Sequence, residues 1–129
     1  MKFGIENEQL EYKKSTSEVK DAVKSISAIL NKHGGGELYF GILNDGTPVG
    51  LTVNDKTMRG ISQAISNHLE PELHPTISIT HLEDKRCIKV TFKGNETPYY
   101  AFGRVYIRVA DEDRVMSPLE LESFYSQKK

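Results

Sequence analysis

Residues 15–46 read STSEVKDAVKSISAILNKHGGGELYFGILNDG, and this stretch decides the fold class. Ser15 followed three residues on by Glu18 is a capping-box pattern, the serine oxygen accepting from N–H groups that a first helical turn leaves unpaired. Behind it Val19, Ala22, Val23, Ile26, Ile29 and Leu30 recur at helical spacing, so one face of a helix is expected to be buried. His33-Gly34-Gly35-Gly36 ends that helix, because glycine accepts the left-handed conformation of a C-cap. Leu38 to Leu43 is then a continuous apolar run, the pattern of a strand covered on both faces. Asn44-Asp45-Gly46 is a strong turn signal.

Working outward, Gln9 to Lys13 is expected as a short strand before the helix, and Pro48 to Val53 as a return strand after the turn. Asn54 or Asp55 caps a second helix carrying Met58, Ile61, Ile65 and Leu69, which ends near Pro71. Three alternating segments follow, through Ile77/Ile79, Ile88/Val90/Phe92 and Val105/Ile107/Val109. Ser117-Pro118-x-Glu120 opens a closing helix, with serine at the cap and proline at the first helical position. The order β-α-β-β-α-β-β-β-α predicts an α+β fold with a mixed, largely antiparallel sheet and two or three packed helices. No repeat or linker-like run interrupts it, so residues 1–129 are expected to be a single domain.

The chain has 17 basic and 18 acidic residues, a net charge of −1, with 37% hydrophobic and 27% charged residues. These values lie in the globular range and outside the disordered and collagenous classes. No apolar run reaches the ~20 residues of a membrane span, and the first residues carry no signal-peptide pattern. With Cys87 as the single cysteine, an internal disulfide is excluded, and a cytoplasmic domain without membrane partners is expected. Near-zero charge excludes a uniformly basic surface but not a patterned one. Lys85 to Arg108 holds six basic residues and one acid, whereas Asp111 onward holds five acids and three bases.

Two constellations could carry chemistry. Glu6, Glu8 and Glu11 lie beside Lys13, and Asp45 sits at the turn after the buried strand. Carboxylates gathered from separate elements can hold Mg²⁺ or Mn²⁺, whereas solvated ends and ordinary Asp-Gly turn chemistry account for the same residues without a metal. Lys89, Thr91 and Lys93 alternate with core residues on one predicted strand, as Arg104, Tyr106 and Arg108 do on another. If those strands pair, their outward faces form a basic patch with an aromatic in it, suited to phosphate contact and base stacking. An ordinary solvated sheet face is the alternative. Three other features carry less. The glycine run follows a helix instead of leading one, so it presents the wrong dipole end to an anion. No G-x-x-x-x-G-K-[ST] occurs, which excludes a P-loop ATPase. His33, His68, His74 and His81 lack metal-ligand spacing, and Cys87 lacks a histidine partner pattern.

Taken together, the sequence resembles the Schlafen-type domain, also described as AlbA-like or divergent AAA-type. The resemblance runs through Glu6…Leu10-Glu11-Tyr12-Lys13, Gly35-Gly36-Glu37-Leu38-Tyr39-Phe40-Gly41-Ile42, Asn44-Asp45-Gly46…Val49-Gly50-Leu51, Pro98-Tyr99-Tyr100 and Tyr106-Ile107-Arg108-Val109. It covers nearly the whole chain in the family's order. It implies a nucleic-acid-binding domain, DNA or RNA, as the N-terminal module of a bacterial transcriptional regulator or helicase-like protein with further domains. Lys13, Lys89, Lys93, Arg104, Tyr106 and Arg108 would then contact the nucleic acid, with no cofactor required. The resemblance also offers a metal-dependent endoribonuclease acting on structured RNA. In that case Glu6 and Glu11, at the family's E-x₄-E spacing, would join Asp45 as catalytic ligands of Mg²⁺ or Mn²⁺. A third expectation is a homodimer or protein-interaction module, with Leu121, Phe124 and Tyr125 of the closing helix as the contact.

Overall fold

A computed structural model describes residues 4–127, and among them the chain forms eight strands and three α-helices. The α+β class is as the sequence predicts, but the strands divide between two sheets instead of sharing one. The first sheet has the order β1-β2-β5-β4, formed by Leu10–Lys13, Gly35–Phe40, Lys85–Lys93 and Thr76–Leu82. Only β1 and β2 run parallel in it. The second is antiparallel throughout, β3-β6-β7-β8, formed by Leu69–Glu70, Tyr100–Ala101, Arg104–Val109 and Glu112–Val115. No described helix is long and apolar enough to cross a membrane.

What separates the sheets is α1 (Val19–His33). It packs against β7 and β8 of one sheet and β2 and β5 of the other. Every residue from Ser25 to Asn31 is therefore buried, not the single face the periodicity predicts. Ser25, Ser27 and Ala28 make this possible, because small side chains let both sheets approach the backbone. The main core joins Val23, Ile26, Ile29 and Leu30 of α1 to Leu38, Phe40, Ile88, Val90 and Phe92 of the first sheet, with Ile61 and Ile65 from α2 (Asp55–His68). Fully burying each such side chain is worth about 1.5–3 kcal/mol. A smaller cluster of Tyr12, Tyr39, Ile42 and Cys87 forms separately from this core.

The helix ends obey the local chemistry. Ser15 caps a 3₁₀ turn at Thr16–Glu18 through which the chain enters α1, and Glu18 accepts from the Lys14 N–H at 3.0 Å. Gly34, at φ 80°, closes α1 with its N–H on the Leu30 carbonyl. Asn54 and Thr57 form a reciprocal capping box on α2, and Ser117 with Glu120 does the same for α3 (Pro118–Gln127). Gly36 has no room for a side chain, since a Cβ there would meet the Gln9 carbonyl oxygen at 2.6 Å.

Two sequence expectations are corrected. The apolar run ends as a strand at Phe40, because Gly41 turns at φ 100° and its carbonyl takes the N–H groups of Val49 and Gly50. Pro48 to Val53 therefore curls back with one isolated bridge, Ile42 to Pro48, instead of forming a strand. Conversely, the acidic segment Glu112–Val115 is a strand, paired with Tyr106 to Val109.

Candidate functional site

The basic strands of the sequence reading do not pair with each other. β5 lies in the first sheet and β7 in the second, with α1 between them. Burial along β7 does not follow the expected alternation: Val105 of the apolar set is buried together with Tyr106 and Arg108 of the polar set, while Arg104 is exposed. Tyr106 is buried at 8% exposure and Arg108 at 0%, while Val109 is 42% exposed. The reason is charge pairing. Arg108 reaches inward to Glu11 of β1, with Nη2 to Oε1 at 2.7 Å, and to Asp113 of β8, with Nη1 to Oδ1 at 2.7 Å. Its Nη2 also donates to the carbonyls of Asn7 and Leu10. Burial by itself would lower the Arg108 guanidinium, but its bonds to Asp113 and Glu11 outweigh that and hold it above its usual range.

The structure brings Glu6 and Glu11 together, as the E-x₄-E spacing suggests. Their carboxyls share a hydrogen bond, and Glu6 also accepts from the Tyr12 N–H at 2.9 Å. Burial first, and the bond with Glu11 second, push the Glu6 carboxyl up to about 7. The second Glu11 oxygen lies 3.3 Å from the Lys13 ammonium, so Lys13 is committed to the same cluster. Asp45 does not join. Its carboxylate accepts from the Thr47 N–H at 3.0 Å, the turn chemistry that Asp-Gly foretold. Among the described residues no three His, Cys, Asp or Glu side chains are grouped to hold a metal ion.

Glu6 and Glu11 supply two carboxylates, and both are already engaged within the fold. A metal needs deprotonated carboxylates with free lone pairs. Here Glu6 shares a hydrogen bond with Glu11 and accepts from the Tyr12 N–H, and Glu11 is divided between a guanidinium and an ammonium. Glu8 is drawn elsewhere. Its bond from the Ala110 N–H, together with His33 and Lys32, holds its carboxyl down at about 2.

The remaining cations of the sequence reading lie outside. Lys89 is half-exposed, 3.1 Å from Glu37 and above the Tyr39 ring. Lys93 and Arg104 are exposed and make no ion pair among the described residues. Two further exposed cations, Lys85 and Arg86, stand at the other end of β5 from Lys93. With His81 and Asp84 they line an open groove of about 540 Å³ against Val49 to Thr52.

A further group forms around Phe102, an aromatic that lies just before the basic strand in sequence. Phe102 stacks on His68 with ring centroids 4.5 Å apart and planes 23° from parallel. The Lys24 ammonium lies 6.0 Å from the Phe102 centroid. The signal was present in Phe102-Gly103, where an aromatic occupies a hairpin turn that normally takes Asn, Asp or Gly. In the closing helix, Tyr125 bonds the Tyr100 hydroxyl at 2.7 Å, while Leu119 is 78% exposed.

A family model described as Schlafen, AlbA_2 matches residues 6–117. The chain belongs to the Schlafen AlbA_2 family. No curated protein matches it. Two solved structures resemble this AlbA_2 domain in fold. One is the DIP2311 protein of Corynebacterium diphtheriae, with a TM-score of 0.71 and 16% identity over 91% of this chain. The AlbA_2 chain spans 23% of that protein. The other is the N-terminal domain of a RecG-related protein of Nitrosomonas europaea, named for ATP-dependent DNA helicases. It aligns with a TM-score of 0.63 and 24% identity over 87% of this chain and 81% of that one.

Proposed function

We propose that this AlbA_2 domain binds nucleic acid, as part of a regulator or helicase-like protein. The observation that carries the reading is how the domain distributes its cations. Arg108 and Lys13 are neutralised inside by Glu11 and Asp113. Lys85, Arg86, Lys93 and Arg104 are left exposed, without an ion pair among the described residues. Exposed, unpaired cations suit phosphate contact, where released counterions supply the affinity. Family membership and the name of the RecG-related neighbour support the same class of partner.

The test is the salt dependence of binding to labelled DNA and RNA. Affinity should fall steeply between about 50 and 200 mM salt. Binding that is indifferent to salt would remove the reading. The metal-dependent endoribonuclease draws on one observation, the meeting of Glu6 and Glu11. Incubation of structured RNA with Mn²⁺ separates the two readings. Cleavage by the wild-type domain that Glu11→Ala abolishes would favour the nuclease.

A further inference from the structure

The turn between β6 and β7 consists of Phe102 and Gly103, both at positive φ, 52° and 77°. Glycine adopts that conformation freely, but a bulky aromatic there is a true outlier, since its Cβ crowds the neighbouring carbonyl. Strained residues of this kind persist where the surroundings hold them, and they gather at functional sites. Phe102 is so held. Its N–H donates to the His68 carbonyl at 3.0 Å, and one face of its ring lies on the His68 imidazole. The strain does not serve the core, because Phe102 remains 36% exposed while the nearby Tyr99 and Tyr106 are buried. Cations flank it. The Lys24 ammonium, 3.9 Å from Asp21, lies between the Phe102 and Tyr106 rings at 6.0 Å from each centroid, free to move to an arriving phosphate, and exposed Arg104 follows two residues on.

We infer that Phe102, backed by His68 and flanked by Lys24 and Arg104, is a stacking platform for one unpaired base of a single-stranded nucleic acid. This rests on the nucleic-acid reading above. A base inside a duplex has both faces covered by its neighbours, so an exposed ring on a rigid turn can stack only on a base that has left the helix. Stacking is indifferent to base identity, because every base presents a π face. Lys24 and Arg104 take the phosphates on either side of the stacked nucleotide. The site therefore selects strandedness, not sequence.

The test uses fluorescence anisotropy of the 129-residue chain with a single-stranded oligothymidylate of about ten nucleotides, and with a fully paired, blunt-ended duplex of similar charge. Phe102→Asn is the informative variant, because asparagine suits the turn and leaves folding intact. Wild type should prefer the single strand. Phe102→Asn should weaken single-strand binding about tenfold, with duplex binding and melting temperature not lowered, and Phe102→Trp should retain the preference. Equal wild-type affinity for both forms, or unchanged single-strand binding by Phe102→Asn, would overturn the platform. If Arg104→Ala still weakened both ligands, the nucleic-acid reading would survive that failure. Absence of binding to either ligand at low salt would end both.

Discussion

Arg108 of the second sheet and Glu11 of the first meet at 2.7 Å, with the arginine side chain wholly buried. This contact joins β7 to β1, and Asp113 extends it to β8. Removing the guanidinium leaves Asp113 without its counter-charge and Glu11 with Lys13 alone. Arg108→Ala should lower stability by about 3–5 kcal/mol in denaturant unfolding, the usual result of breaking a buried pair from one side. Arg108→Met combined with Glu11→Leu should cost less than the sum of the single changes. Additive losses would show that the two side chains act independently.

Stability should also depend on pH through Glu6. Its carboxyl titrates at about 7 in the fold against 4.5 unperturbed, because burial disfavours the charge and Glu11 shares a hydrogen bond with it. Between those values the folded chain holds a proton that the unfolded chain has released. That contribution is fully present below 4.5 and is lost as pH rises through 7. Unfolding midpoints should fall across this window, and Glu6→Gln should flatten the fall. An equally steep decline in the variant would place the titration elsewhere.

Asn31 ties α1 to the second sheet. Its amide donates to the carbonyls of Tyr99 at 3.0 Å and Tyr106 at 2.7 Å, and its oxygen accepts from the Tyr99 N–H at 2.7 Å. Asn31→Ala leaves three buried backbone groups unpaired. Each such group costs about 1–3 kcal/mol, so urea unfolding should register a loss of at least about 2 kcal/mol. A change below about 0.5 kcal/mol would mean that water replaces the amide.

Arg104 should act as a phosphate contact on any sequence. Arg104→Ala should weaken binding to unrelated oligonucleotides by the same factor and reduce the log–log salt slope by about 0.7–0.9. Loss confined to one sequence would indicate base readout instead.

Since Arg108 and Lys13 already engage Glu11, chelation should leave melting temperature and oligonucleotide affinity unchanged. Differential scanning fluorimetry with EDTA and with Mn²⁺ checks this. A Mn²⁺-dependent rise that disappears in Glu11→Gln would mean that the metal displaces the arginine.

Much of the fold was legible because its signals are local. Ser15, Gly34, Asn54 and Ser117 stop or start helices through atoms a few residues away, and the α+β class follows from their order. The same holds at Asp45, whose turn role needs only Thr47. The Glu6–Glu11 encounter was visible as a spacing. Its meaning was not, since Arg108 is 97 residues further on than Glu11. β8 went unseen because its acidic sequence lacks the apolar alternation of a half-buried strand.

By itself the sequence determined which residues alternate, where helices begin and end, and that the basic residues of 85–108 outnumber the acids. Only the tertiary structure decided which side of each strand is covered. Period-two alternation divides a strand into two faces but says nothing about what lies against either. By lying between the sheets, α1 turned Tyr106 and Arg108 inward and separated β5 from β7. The same packing left Lys93, Arg104 and Phe102 at the surface.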